Sequence, residues 1–502
     1  MPTKYEELIE HVHELDDLNK ANALLYWDRE VYMPRGGVAE RIAQMTTLSS
    51  LSHRMSTSDE MGELIEAAAA EIDGAPYDSN EASLIRLLQR NYADARKIPA
   101  EYVARSSVIS GRTREAWVKA RAENDFAHFR PWLEQVIELC QELADYYGYE
   151  DEKYDALLDK YELNMKTAEV RAIFDAVKAE LVPLREAVDQ SRVSLDDSIV
   201  HQPYDIDKQK AFARYIAEAV GYDFERGHLG TVVHPFAISF SRNDARITTR
   251  WYPDFLNPSL FGALHESGHA MYEQGTHPDL ARTPLARGTS LGIHESQSRM
   301  MENIVGRSRG FWQAHFPKLQ SYFPEALGNS TAEDFYRAIN KTQPSFIRVE
   351  ADELTYNFHI ILRFELEQAM LNGDLPAAEL PTAWNDKMRE LIGITPPNDK
   401  EGCLQDVHWS RPGFGYFPTY ALGNLYGAQF FETAVSQNPA ILDELAQGKT
   451  TALLAWLREN IHQHGKKFTP GELVQRVTGR PLDHQAFMRY ARAKFSDLYA
   501  LN

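Results

Sequence analysis

The stretch Phe261-Gly262-Ala263-Leu264-His265-Glu266-Ser267-Gly268-His269-Ala270-Met271-Tyr272 carries an HExxH pentapeptide at its centre. On a helix, side chains four apart lie one turn above each other, so the imidazoles of His265 and His269 converge on one point. Two neutral imidazoles so placed begin a divalent-metal site. Glu266 stands on the adjoining edge, within reach of a water that the ion activates rather than of the ion itself. The flanks support a helix: Asn257 reads as its N-cap, Pro258 as its first helical residue and Gly275 as its end. Gly268 is tolerated inside it despite a cost in helix propensity.

Immediately upstream lies the one region with strand character. Val232 and Val233, Ala237 to Phe240, and Ala245 to Trp251 are β-prone, and the polar turn Ser241-Arg242-Asn243-Asp244 makes them a hairpin. A small sheet beside a metal helix can hold an extended peptide by main-chain hydrogen bonds. Further out the pattern is helical. Leu8, Val12, Leu15 and Leu18 recur at three and four, as do Leu84, Leu87 and Leu88 and later Ile173, Val177 and Leu181. Thr167 reads as another N-cap, and Thr469 with Glu472 as a capping box. From Thr395 to Tyr420 a segment rich in Pro, Gly and aromatic residues interrupts the helices. Loops that long in a compact domain tend to line a site, and this one carries Gln405, Asp406, His408, Trp409, Arg411 and Tyr420.

With 43% hydrophobic and 25% charged residues, the 502-residue chain has an ordinary globular composition, and its length leaves the domain count open. Its 73 acidic and 53 basic residues give a net charge of -20, which argues against binding a nucleic-acid backbone and for a peptide or small-molecule substrate. Cys140 and Cys403 are the two cysteines, far apart, so neither a disulfide framework nor a cysteine metal site is expected. The charged amino terminus and the lack of a long apolar run point to a cytoplasmic protein that does not engage a membrane.

Two histidines need a third protein ligand to make a catalytic site. An HExxHxxGxxH continuation would supply a third histidine, but Tyr272 and Gly275 occupy the corresponding positions. A glutamate on a second, downstream helix is the remaining option. Glu295 is the strongest candidate and Glu302 the rival, with Glu302 better placed to support a ligand histidine from behind.

Further short motifs stand in order along the chain: His234-Pro235-Phe236; Asp244, Arg246 and Thr248 as DxRxT; His294-Glu295-Ser296-Gln297; Ile347-Arg348 with Ala351-Asp352 as IRxxAD; and Gly402, Gln405, Asp406, His408 and Trp409 as GxxQDxHW. With the HExxH these make the chain resemble, nearly end to end, the M32 metallocarboxypeptidases typified by carboxypeptidase Taq. The resemblance implies one catalytic domain over residues 1–502, with a helical scaffold over about 1–225 and site elements over about 230–425. It also implies a mainly α, two-lobed fold with a deep groove, similar to neurolysin-type and angiotensin-converting-enzyme-type peptidases. The activity implied is removal of single residues from the free carboxyl terminus of peptides, with one zinc or cobalt ion per subunit, in a cytoplasmic homodimer.

On that reading His265, His269 and Glu295 hold the metal, Glu266 is the general base, and Tyr420 matches a tyrosine that stabilises the oxyanion. Arg348 matches the residue that would pair with the substrate carboxylate, since a guanidinium binds a carboxylate through two parallel hydrogen bonds. Gln405 and His408 would add substrate or transition-state hydrogen bonds. His234, Asp244 and Arg246 would either contact substrate and limit the groove or simply shape the hairpin turn. The competing readings are a neurolysin-like oligopeptidase cutting internal bonds and an idle peptide-binding protein.

Overall fold

A computed structural model describes residues 2–501. Met1 and Asn502, the ends of the expected domain, lie outside the described residues. Helices take up 69% of the chain and three short strands form its sheet, so the architecture is mainly α as expected.

The first helix, Lys4–Val31, starts at a capping box between Thr3 and Glu6 and buries Leu8 and Val12 on one face. Together with Asp59–Glu71 and Asn80–Lys97 it encloses a small core of Met61, Ile65, Leu84 and Leu88, closed by Leu280 and Leu285. A second and much larger core connects residues from Tyr102 to Tyr499. Beside the small core lies a cavity of about 730 Å³, lined by Val12, Met61 and Leu88 and by Ile238, Arg287 and Lys466.

The sheet has the order β1-β3-β2, with β1 at Leu229–Thr231, β2 at Ala237–Ser241 and β3 at Asp244–Thr249. β2 and β3 form the expected antiparallel hairpin, pairing Ala237 with Ile247 and Ile238 with Arg246. β1 instead runs parallel to β3, and Val232 and Val233 fall beyond it, with Val233 exposed. Pro235 helps explain why the β-prone run stops there, because it has no N–H to donate to a ladder. On β3, Ala245 and Ile247 point into the core. The Thr249 hydroxyl donates to the Ser259 carbonyl at 3.2 Å, fastening the sheet to the first turn of the HExxH helix.

That helix spans Asn257–Gly275 and is capped by Leu256, so Asn257 is its first residue rather than its cap. Thr167 likewise opens a helix, Thr167–Asp189, instead of capping it. Its N–H and hydroxyl both donate to the buried Asp155 carboxylate, at 2.7 and 2.6 Å, which draws the threonine into the first turn. Thr469 and Glu472 form the expected capping box. From Thr395 onward the chain is irregular apart from a 3-10 turn at Val407–Ser410, until the helix Pro418–Gln437 takes in Tyr420.

The helix Leu291–Arg299, which carries Glu295, is wedged between the HExxH helix and Pro418–Gln437. Two glycines permit the approach. A Cβ on Gly268 would sit 2.4 Å from the Gln297 carbonyl oxygen, and one on Gly423 would sit 2.5 Å from Glu295 Cγ. The helix-weakening glycine inside the HExxH motif is therefore the contact through which its two helices meet.

Candidate active site

His265, His269 and Glu295 each offer a ligand atom, and the three atoms lie within 4.8 Å of one another. The Nε2 atoms of His265 and His269 are 3.7 and 3.4 Å from the same Glu295 oxygen, Oε2. The opposite nitrogen of each ring is tied down. His265 Nδ1 meets Glu302 Oε2 at 2.9 Å. His269 Nδ1 meets His294 Nδ1 at 2.6 Å, and His294 Nε2 meets Glu273 Oε1 at 2.8 Å. For Nε2 of His269 to present a lone pair, its proton must sit on Nδ1; His294 then accepts on Nδ1 and donates from Nε2 to Glu273. Glu302 thus lies on the far side of the His265 ring from Glu295, while His294, a residue of the HESQ motif, orients the His269 ring.

Glu295 divides its carboxylate. Arg299 Nε donates to Oε1 at 2.8 Å, leaving Oε2 toward the imidazoles, and Arg299 also reaches Glu302 at 2.9 Å. The chain passes from Leu291–Arg299 directly into a π-helical turn, Met300–Val305, which carries Glu302. Burial opposes the Glu295 charge, but Arg299 and His265 hold the carboxyl well below the usual range. Burial lowers His269 to about 4, keeping it neutral. His265 is pushed up to about 9 in spite of its burial, by Glu295, Glu302 and Glu266 around it. Three carboxylates about two imidazoles are a field suited to a divalent cation. Glu266 is raised to about 7, by burial first and by Glu295 and Glu302 after it, and its buried Oε2 has no hydrogen-bond partner. The donor set and this unpartnered oxygen fit a metal with an open position facing a base.

A second group lies on the other side of Arg299, whose guanidinium sits 4.2 Å from the centre of the Tyr356 ring. The Tyr356 hydroxyl accepts from Arg348 Nη1 at 3.2 Å. Arg348 is buried and also donates to Asp406 Oδ1, at 3.2 Å from Nε and 2.8 Å from Nη2. Arg363, fully buried, donates to the other oxygen of the same carboxylate at 2.7 Å. Arg348 is thus one of two guanidiniums sharing Asp406. Nothing in the local pattern of Arg363 announced this, because the helix Tyr356–Asn372 is buried nearly all round and offers no polar face to read.

Gln405 is spent within the protein: its oxygen accepts from the Arg348 main-chain N–H and from Arg363, both at 2.8 Å, and its amide donates to the Phe346 carbonyl at 3.0 Å. His408 lies with Nδ1 3.6 Å from Asp406 and its ring 4.5 Å from that of Phe417. Burial lowers it to about 4, and Nδ1 has no hydrogen-bond partner. The Tyr420 ring lies 5.0 Å from the Arg348 guanidinium; burial, with Tyr416 beside it, raises its phenol well above the usual value, so it remains a donor.

The hairpin residues stand apart from both groups. Asp244 and Arg246 pair with each other through two hydrogen bonds, at 2.7 and 2.8 Å, and Arg246 lies over the rings of Phe240 and Trp27. His234 is exposed in the bend before β2.

Comparison with known proteins gives concordant results. The sequence model of the family described as "Carboxypeptidase Taq (M32) metallopeptidase" matches residues 7–495. The chain is 40% identical to thermostable carboxypeptidase 1 of Thermus thermophilus and 37% identical to carboxypeptidase 1 of Bacillus subtilis, each alignment covering 99% of both proteins. Among solved structures, an M32 carboxypeptidase from Deinococcus radiodurans superposes with a TM-score of 0.97 at 38% identity, covering 99% of this chain and 100% of the other.

Proposed function

The chain belongs to the carboxypeptidase Taq (M32) metallopeptidases and is a metallocarboxypeptidase, and from that premise we propose how its residues divide the work. Residues 1–502 act as one catalytic domain in which His265, His269 and Glu295 hold a divalent ion, zinc with cobalt as the alternative. Such an ion supplies Lewis acidity, polarising the scissile carbonyl and making water a better nucleophile. Glu266 is the general base, its free Oε2 taking a proton from the attacking water and passing it to the leaving amine. Its burial favours the protonated form and so makes the carboxylate a better proton acceptor than an exposed one. Tyr420, held protonated, donates to the developing oxyanion. His408, held neutral, offers its unpartnered Nδ1 to the substrate.

Arg348 receives the substrate's terminal carboxylate, while Gln405 and Asp406 position Arg348 and do not touch the substrate themselves. Two buried guanidiniums against one carboxylate leave about one positive charge uncompensated. A free carboxyl terminus can neutralise it; an internal peptide bond cannot. That two-to-one arrangement carries the assignment of Arg348. Asp244 and Arg246 shape the turn that bounds the groove, with His234 at its rim.

No helix among the described residues is long and apolar enough to cross a membrane. We place the enzyme in the cytoplasm as a homodimer, as the resemblance implies, and sedimentation velocity checks the dimer. For the reaction, the test is a set of short peptides with free or amidated carboxyl ends and their product lists. Release of single residues from the free forms alone is expected; equal cleavage of the amidated forms would remove Arg348 from its role.

A further inference from the structure

The metal cluster has two flanks. From Glu295, contacts lead through Arg299 and Tyr356 to Arg348. From His269, they lead through His294 to Glu273, whose charge is felt by Lys20 and by Arg287, a residue of the cavity wall. A peptide whose carboxyl terminus lies at Arg348 and whose last peptide bond lies at the metal cluster continues, in its upstream residues, toward this second flank. This argument rests on the carboxypeptidase reading above.

The cavity walls match such an occupant. Apolar side chains from the small core alternate with three amides, Asn19, Asn22 and Asn91, which suit the main chain of a peptide. Asn22 donates to Ser49, but its buried Oδ1 has no hydrogen-bond partner. Arg287 and Lys466 line the cavity, and Lys20 on the first helix, whose amine donates to the Ser239 carbonyl at 3.0 Å, lies within electrostatic reach of Arg287. Asp16, 3.9 Å from Arg287, and Glu273, which also pairs with His294, are the carboxylates that act on these cations. Neither the Lys20 nor the Lys466 amine has a carboxylate within 4.0 Å among the described residues. In a chain of net charge -20, cations left this way are out of keeping with the surface around them.

We infer that this part of the cavity is a subsite for an acidic side chain of the peptide, upstream of the bond that is cut, held by Lys20, Arg287 and Lys466. Burial first and Arg287 after it lower both lysines from their usual values, an effect that Asp16 and Glu273 oppose at Lys20 and no carboxylate opposes at Lys466, so an incoming carboxylate would favour the charged form of Lys466 most. Peptides rich in Asp and Glu away from their carboxyl end are then the preferred substrates.

The test compares peptides with one common, free carboxyl-terminal pair of residues and Glu, Ala or Lys placed in turn at the third, fourth and fifth positions from that end. At one of these positions kcat/KM should favour Glu over Lys by about tenfold at low salt and approach parity at high salt. Lys466→Met and Lys20→Met should each reduce that ratio to about threefold or less, and Lys466→Arg should restore it. Parity at every position in the wild type, or a ratio unchanged in both methionine variants, overturns the subsite. Amidated versions of the same peptides separate the two readings. If they are cut as fast as the free ones, the carboxylate anchor fails whatever the ratio; if they resist cleavage while parity holds, the subsite alone fails.

Discussion

His265, His269 and Glu295 come from two helices that follow each other in the chain, whereas Arg348, Arg363 and Asp406 come from a 3-10 turn, a buried helix and a long loop. Short-range spacing sets the two imidazoles, while Glu295 arrives from the neighbouring helix, and each of the three is backed by a group held close to it. The group of Arg348, Arg363 and Asp406 is assembled by folding alone: its charges meet because distant segments pack together. Local motifs can therefore be read as chemistry, while a charge balance such as two guanidiniums on one carboxylate emerges only in three dimensions.

Substitutions in the two regions should fail in different ways. Glu266→Gln should lower kcat by about a thousandfold while metal content, measured by mass spectrometry of metals, stays near one ion per chain. Arg348→Ala should cost about a hundredfold in kcat/KM, mostly through KM, and narrow the gap between free and amidated peptides. If it changed kcat alone, the anchor would lie elsewhere. Back-support of the ligands should show in affinity: His294→Ala and Glu302→Gln are each expected to weaken metal binding by roughly 10- to 100-fold in competition with a chromogenic chelator. Should His294→Ala bind metal normally, the relay to Glu273 has no role in holding His269.

Two smaller effects concern the framework. Gly423→Ala should cost about 1–3 kcal/mol in denaturant unfolding, since its Cβ would press on Glu295 Cγ. Glu367, fully buried, accepts from Tyr154, Trp409 and the Gly415 N–H and so fastens the long loop to the helix below it. Burial outweighs these donors and raises its carboxyl from 4.5 to about 7. Because the folded-state value lies above the unfolded one, its contribution to stability is fully present below about pH 4.5 and is lost as pH rises through about 7. Glu367→Gln should remove a drift of roughly 2–3 kcal/mol from the unfolding free energy followed between pH 5 and 8.

Most of the helices and the β2–β3 hairpin were legible in the sequence, because apolar spacing and turn residues are local signals. Asn257 and Thr167 are each the first residue of their helix rather than its cap; at Thr167 the cause is Asp155, a hydrogen-bond partner from the helix before it. β1 escaped notice for a similar reason, since its three residues are a strand only by virtue of β3 alongside. At the site, Glu295 could be proposed from its motif, and Glu302 from its distance along the helix. His294 stood in view within the HESQ motif, yet its link to His269 requires the two helices to close through Gly268.

From the sequence alone came the HExxH helix, the base beside it, the resemblance that made Arg348 a candidate and the acidic balance of the chain as a whole. Those features depend on residue type and on separations of a few positions, which a helix converts directly into geometry. The tertiary structure decided which glutamate faces the imidazoles, which arginine shares Asp406 and where Arg287 and Lys466 meet the cavity. Each of these depends on the approach of segments far apart in the chain, and on burial that makes an unmatched charge costly enough to matter.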